Sequence, residues 1–150
     1  MSKGKTSKVA LLVDDEPEYL GWVTEFLESL GLQFHLARNL PEALEAIEKT
    51  DYRLLLVDMN IPAGGASSAL TRDRGPVAEK YPGIIVAIHA RSKGYGAHQV
   101  IAYTVHDDDA ADAELAKLHC RYVLKARPQV LKSVIRASLE SQPPSKRGPT

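Results

Sequence analysis

The sequence predicts an α/β fold in which parallel strands alternate with helices, and three observations support this. Short apolar runs recur at 9–13, 54–57 and 100–105, as expected for strands that are buried on both faces. Between them, apolar residues recur at spacings of three and four, which is typical of amphipathic helices. The elements begin in the order β-α-β-α-β, for which right-handed parallel crossovers are the default. The length of 150 residues fits one such domain.

The first half of the chain carries clear start and stop signals. Pro17 opens the first helix and Gly31 closes it. A weaker strand is predicted at 32–36, and Asn39 is the expected N-cap of the second helix. The third strand then ends in Asp58.

The middle of the chain is less regular. Residues 63–81 are rich in Gly, Ala, Ser and Arg without a sustained period, so we predict a loop with at most a short helical turn. Residues 84–88 would suit a strand, but the flanking start and stop signals favour a helix over 82–93. The elements expected downstream are a strand at 100–105, a helix capped within 107–109, a strand at 122–124 and a final helix from about 128 to 139.

Composition excludes several classes of protein. Lysine plus arginine equals aspartate plus glutamate, 19 of each, so no net charge favours nucleic acid or an anionic membrane. The one cysteine, Cys120, fits a reducing cytoplasm, and no apolar run is long enough to cross a bilayer. We therefore expect a cytoplasmic domain over 1–140, followed at 141–150 by a proline-rich disordered tail or the start of a linker.

Polar residues lie at the carboxyl ends of four of the predicted strands. The first strand ends at Asp14 and Asp15, the third at Asp58 and the fourth at Thr104, and Lys125 follows the fifth. Each alone has an ordinary explanation, such as a helix cap or a solvated charge. Together they meet at the carboxyl edge of a parallel sheet, where ligands bind. Clustered carboxylates call for a hard cation, and Mg²⁺ is the natural choice, with Asp58 as nucleophile toward a phosphoryl donor.

Four segments carry a resemblance to a known family. They are LLVDDEP at 11–17, LLLVDMNIP at 54–62, VIAYTVHDD at 100–108 and YVLK at 122–125. In this order they resemble the receiver domain of response regulators, the phosphoacceptor module of two-component and phosphorelay signalling. The resemblance covers roughly 8–139. It implies a flavodoxin-like (βα)5 doubly wound parallel sheet with strand order 2-1-3-4-5.

The resemblance also implies roles for the acidic residues. Asp58 matches the phosphoacceptor. Asp15 matches a direct Mg²⁺ ligand, and Asp14 the acid that helps to hold the ion, often through water. Asn60 matches the residue whose backbone carbonyl completes the metal site, together with Asp58.

A second group of residues matches the family's switch. Thr104 and Lys125 match the pair that senses the phosphate, and Tyr122 matches the aromatic residue that turns inward after phosphorylation. The implied partners are a histidine kinase or histidine phosphotransfer protein and a downstream protein effector, without direct contact to nucleic acid or membrane. A homodimer through the helix after 109, the fifth strand and the final helix is also compatible. Such a domain transfers and hydrolyses only its own phosphoryl group, so we do not expect an enzyme.

Two features depart from the family's pattern. Ala126 stands where the family usually has proline after a cis bond. A cis bond to alanine costs roughly 3 kcal/mol, so we expect either a trans link or local strain, and either one affects the exact placement of Lys125. Residues 63–81 form a long insertion after the third strand. We expect it to be either a tolerated surface loop or a lid or partner-docking element, with Arg72 or Arg74 able to approach the phosphoryl group.

Three other interpretations fit the sequence less well. If 84–88 were the fourth strand, His89 would replace the threonine; we disfavour this because Thr104 lies 21 residues before Lys125, whereas His89 lies 36 before it. A phosphorylation-independent adaptor that docks a partner through the insertion remains the alternative function. An Mg²⁺-dependent phosphatase is disfavoured because Asn60 replaces its second acid. His106 is interpreted as an ordinary loop residue near the site.

Overall fold

The computed structural model describes residues 6–65, 67–105 and 107–140. Within these ranges the chain forms one five-stranded sheet and seven α-helices. The strands are β1 (Val9–Val13), β2 (Gln33–Ala37), β3 (Leu54–Asp58), β4 (Val100–Thr104) and β5 (Arg121–Leu124). The helices are α1 (Gly21–Ser29), α2 (Leu40–Lys49), α3 (Ser68–Arg74), α4 (Pro76–Lys80), α5 (Gly83–Ser92), α6 (Asp109–Lys117) and α7 (Pro128–Glu140). The predicted tail at 141–150 and the loop residue His106 lie outside the described residues.

The sheet confirms the predicted fold class. Its strands are all parallel and lie in the order β2-β1-β3-β4-β5, which is the flavodoxin-like arrangement. The register pairs Val13 with Val57 and Asp58 with Tyr103. The carboxyl ends of β1, β3 and β4 therefore lie side by side, so residues that follow these strands share one edge.

The core has two layers, one on each face of the sheet. Side chains of β1, β3 and β4 alternate between them, and the three central strands are almost wholly buried. One layer lies under α1 and α7, the other under α2, α5 and α6. Burial on both faces explains why these strands are continuous apolar runs in the sequence.

Local signals place the helices largely where the sequence predicts them. The Asn39 side chain accepts a hydrogen bond from the Glu42 backbone N–H at 2.9 Å and so caps α2. Asp108 caps α6 by accepting from the backbone N–H groups of Ala110 and Ala111. The first helix differs, because Pro17 begins a short 3₁₀ turn and α1 starts after it.

The segment 63–81 is more ordered than its sequence predicts. Instead of a loop with one helical turn, it contains both α3 and α4, so the loop prediction is wrong. Gly75, with φ of 121°, separates the two helices, and each is too short to show a sustained apolar period. Residues 84–88 are helical, which confirms the helix predicted there rather than a fourth strand.

Across the described ranges, none of the helices has the length and apolar character that crossing a membrane requires.

Candidate functional site

Three carboxylates meet at the carboxyl edge of the sheet, as the sequence predicts. Asp14 and Asp15 follow β1, and Asp58 is the last residue of β3. One oxygen from each lies within 4.8 Å of the others. Asp14 is 1% exposed and Asp58 4%, while Asp15 is more open to solvent. Two buried carboxylates this close repel each other unless positive charge lies between them.

Lys125 supplies part of that charge. Its Nζ donates to Asp14 Oδ2 at 2.9 Å and to Asp58 Oδ2 at 3.0 Å. The Lys125 backbone N–H donates to the Thr104 carbonyl at 2.7 Å, which ties the start of this loop to β4. The bond to Ala126 is trans, as expected for alanine. Lys125 thus reaches both carboxylates with a trans bond to the alanine that follows it.

Backbone groups also hold Asp58. Its Oδ1 accepts a hydrogen bond from the Asn60 N–H at 3.0 Å. The residue after Asp58 is held as well, because the Gly83 N–H at the start of α5 donates to the Met59 carbonyl at 3.0 Å. A Cβ at Gly83 would lie 2.3 Å from the Asp58 carbonyl oxygen, so only glycine allows α5 to approach this closely. Pro82 and Gly83 were predicted from the sequence to start this helix, and α5 does begin at Gly83.

Burial and neighbouring charges have opposite effects on the pKa values of Asp58 and Lys125. Burial raises the pKa of Asp58 above its usual value, although the Asn60 N–H and Lys125 partly counteract this effect. Burial lowers the pKa of Lys125, but its hydrogen bonds to Asp14 and attraction to Asp58 outweigh this and leave the pKa raised. Lys125 is therefore a permanent cation at neutral pH.

Tyr103 is a member of the site that the sequence analysis missed. Its hydroxyl donates to Asp14 Oδ2 at 3.0 Å, and its ring lies 4.9 Å from Lys125 Nζ. Burial, followed by the charges of Asp14 and Asp58, raises the Tyr103 pKa well above its usual value. The available signal was a tyrosine after three aliphatic residues of β4, directly before Thr104.

The donor set suits a hard divalent cation. All three side chains offer oxygen, the ligand type that Mg²⁺ and Ca²⁺ prefer. Three carboxylates and one ammonium leave an excess of two negative charges when all are ionised, which a divalent ion would balance. Asp14, Asp15 and Asp58 can therefore hold a metal ion.

Comparison with known proteins gives the same architecture. No protein-family model matches the sequence, and no curated protein matches it. Among solved structures, a CheY-like response regulator receiver domain protein from Methanospirillum hungatei JF-1 is 22% identical, with a TM-score of 0.69, over 90% of this chain and 95% of that one. The BeF3-activated N-terminal receiver domain of Klebsiella pneumoniae RstA is 19% identical, with a TM-score of 0.67, over 89% of this chain and 99% of that one. This chain has the receiver-domain fold.

A two-component response regulator from Clostridium difficile shows the same similarity at lower identity. It is 17% identical, with a TM-score of 0.66, over 89% of this chain and 96% of that one. At such identities the likeness establishes the receiver fold, and the acidic pocket adds a site in which a metal ion would fit.

The two predicted switch residues lie on the neighbouring strands β4 and β5 of this receiver fold. Thr104 is buried at the end of β4, one residue beyond the partner of Asp58 in the sheet. Tyr122 is half-buried on β5, and burial together with the nearby charge of Asp112 raises its pKa to about 12. The hydroxyl therefore stays neutral and keeps its proton at physiological pH.

The segment 63–81 is attached to the loop that follows Thr104. The Tyr81 hydroxyl donates to Asp108 Oδ2 at 2.9 Å, and Lys80 Nζ lies 3.3 Å from the same oxygen. Since Asp108 also caps α6, one carboxylate joins the end of α4 to the start of α6. Sequence patterns offer no sign of this contact, which joins residues 27 positions apart.

The two arginines proposed for a lid lie on α3. Arg74 lines a groove with His89 and Ser92, near the end of α5 that is farthest from Gly83 and hence from Asp58. Arg72 is exposed on the same short helix. This arrangement gives the lid no support, and an approach of either side chain to Asp58 stays a prediction.

Proposed function

We propose that this chain is a phosphoacceptor receiver of a two-component signalling system, in which Asp58 accepts a phosphoryl group with the help of Mg²⁺. The observation that supports this most is the position of Lys125, whose ammonium contacts Asp58 at 3.0 Å and Asp14 at 2.9 Å beside a three-carboxylate cluster. A nucleophilic carboxylate, a cation-binding group and a fixed ammonium are the components that phosphoryl transfer to aspartate needs.

The proposed reaction is a displacement at phosphorus. An oxygen of Asp58 forms a bond to phosphorus while the bond to the leaving oxygen of the donor breaks, and the leaving group takes the electron pair. Lys125 stabilises the negative charge on the phosphoryl oxygens, and the Thr104 hydroxyl donates a hydrogen bond to one of them. Asp14, Asp15, Asp58 and the backbone carbonyl of Asn60 would hold Mg²⁺, which neutralises charge on the transferring group.

The consequence of phosphorylation is a changed protein surface. Movement of Thr104 toward the phosphoryl group would let Tyr122 turn inward and reshape the surface of α6, β5 and α7. The donor would be a histidine kinase or histidine phosphotransfer protein and the reader a protein effector in the cytoplasm, with no direct role for nucleic acid or membrane. The same surface could form a homodimer. We do not class the domain as an enzyme, since it turns over only its own phosphoryl group.

Intact-mass spectrometry after incubation with Mg²⁺ and acetyl phosphate tests the proposal. We expect the wild type to gain one phosphoryl group, which hydroxylamine removes because it is an acyl phosphate. Asp58→Asn should gain none. Asp51→Asn, an equivalent change at an exposed residue before the opposite end of β3, should react like the wild type. No gain in the wild type, or an equal gain in Asp58→Asn, would refute the proposal.

The alternative is a phosphorylation-independent adaptor, and one feature of the insertion favours it. A groove of about 390 Å³ lies between α2, α3 and α5, lined by the apolar side chains of Leu44, Leu70, Ile85 and Ile88. Leu70 is 46% exposed there. If the wild type does not react with acetyl phosphate, this groove becomes the first surface to test, by comparing partner binding with and without residues 66–79.

A further inference from the structure

Tyr103 places a hydroxyl where the surrounding core is otherwise apolar. It is 1% exposed and belongs to the core layer under α1 and α7, among side chains such as Leu12, Leu56 and Ile101. A tyrosine of this kind needs a hydrogen-bond partner, because burying an unpaired hydroxyl costs free energy. Its partner is Asp14, which follows a strand that is separated from β4 by β3. The ring therefore spans the end of the central strand.

Asp14 is held by three donors. Its Oδ1 accepts from the Glu16 N–H at 2.7 Å, and its Oδ2 accepts from Lys125 Nζ at 2.9 Å and from the Tyr103 hydroxyl at 3.0 Å. Since Asp14 is 1% exposed, bulk water does not reach it to replace a lost donor. The orientation of this carboxylate thus depends on these side chains and on one backbone amide.

Two side chains donate to Asp14 Oδ2, and they differ in how many carboxylates they contact: Lys125 contacts Asp14 and Asp58, whereas Tyr103 donates to Asp14. Lys125 divides its ammonium between Asp14 and Asp58, with nearly equal distances of 2.9 and 3.0 Å. Any negative group placed beside Asp58 competes for this ammonium. The tyrosine hydroxyl has no such second acceptor among the contacts described for it, and its ring also packs 4.9 Å from Lys125 Nζ.

We propose that Tyr103 is a positioning residue for the cation site: its hydroxyl fixes the Asp14 carboxylate for a divalent ion while Lys125 is engaged by Asp58 or by a phosphoryl group. The inference rests on the proposed function for the identity of the ion and of the phosphoryl group. Groups that orient a metal-binding side chain change metal affinity by about 10- to 100-fold when they are removed. Tyr103 should act in this way although it does not touch the ion.

Tyr103→Phe removes the hydroxyl and keeps the ring. We expect the Kd for Mg²⁺, measured by titration calorimetry on the whole chain without a phosphoryl donor, to rise about 10-fold or more. With acetyl phosphate, half-maximal phosphorylation should need correspondingly more Mg²⁺, whereas the rate at saturating Mg²⁺ should stay close to that of the wild type. A purely structural role would lower thermal stability and leave both Mg²⁺ dependences unchanged.

Tyr95→Phe is the matched control. Tyr95 is equally buried, and its hydroxyl accepts from the Tyr52 N–H at 2.9 Å, far from the carboxylates. We expect this variant to lose stability without changing the Kd for Mg²⁺. A Kd for Tyr103→Phe within about twofold of the wild type would overturn the inference, as would a wild type that does not bind Mg²⁺. A wild type that binds Mg²⁺ but is never phosphorylated would refute the proposed function alone.

Discussion

Replacing Gly83 by alanine tests how tightly α5 is held against the end of β3. The new Cβ would lie 2.3 Å from the Asp58 carbonyl oxygen and 2.6 Å from Met59 Cα. Ordinary contact begins at 3.4 Å, so the two backbones must separate by about 1 Å. Because the neighbouring atoms belong to the backbone, no rotation of a side chain relieves the clash.

The cost follows from what the separation breaks. It stretches the hydrogen bond from the Gly83 N–H to the Met59 carbonyl, worth about 1 kcal/mol, and loosens the buried contacts of Ile84 and Ala87. Overpacking of this kind typically costs about 1–3 kcal/mol. We therefore expect Gly83→Ala to lower the free energy of unfolding by roughly 2–4 kcal/mol. The Asp58 carboxylate should also move, which would weaken Mg²⁺ binding.

Chemical denaturation followed by circular dichroism measures the first effect, and titration with Mg²⁺ the second. Gly21→Ala is the control, because Gly21 has helical dihedral angles and no neighbouring group lies within 4 Å of the point that a Cβ would occupy. That change should be neutral or stabilising by about 0.5–1 kcal/mol. A loss below about 1 kcal/mol in Gly83→Ala would show that α5 slides freely and does not position Asp58.

Two further predictions concern other parts of the chain. Asn39→Ala removes the cap of α2 and should lower the free energy of unfolding by about 1 kcal/mol. Asn39→Asp keeps a capping oxygen and should lose much less stability. Equal losses for the two variants in chemical denaturation would contradict the capping role. Burial raises the pKa of the Cys120 thiol to about 11 from 9.0, so at about pH 8 iodoacetamide should alkylate it roughly 100-fold more slowly than an ordinary thiol, with the rate rising toward pH 11 as the thiolate forms. Mass spectrometry across this pH range measures the rate of alkylation, and rapid alkylation of Cys120 at about pH 8 would refute the raised thiol pKa.

The strand ends were predictable because burial leaves a direct mark on the sequence. A strand covered on both faces is a continuous apolar run, and the first polar residue after it marks the edge of the sheet. This placed Asp14, Asp58, Thr104 and Lys125 together without any knowledge of their contacts. Helix α5 was predictable for a similar reason, since proline, glycine and basic residues bounded it.

Contacts that depend on the tips of side chains were not predictable. The Tyr103 hydroxyl reaches across β3 to Asp14, and nothing in the local sequence of β4 indicates its direction. The contact of Tyr81 with Asp108 depends on how α4 packs, and α4 itself is too short to produce a periodic pattern. A helix of one or two turns that is stabilised by tertiary contacts has too few residues to show a periodic apolar pattern.

Both ends of the long segment after β3 are held by backbone hydrogen bonds, so the length of the segment between them could change while the sheet stays the same. The Pro62 carbonyl accepts a hydrogen bond from the Leu40 N–H at 2.9 Å, and the Gly83 N–H is bonded to the Met59 carbonyl at 3.0 Å. The chain thus departs from and returns to the same corner of the molecule. Doubling the length between two such anchors costs only about 0.6 kcal/mol in loop-closure entropy. This corner is therefore a natural graft point, where a foreign peptide or reporter could be exchanged for α3 without altering the register of a single strand.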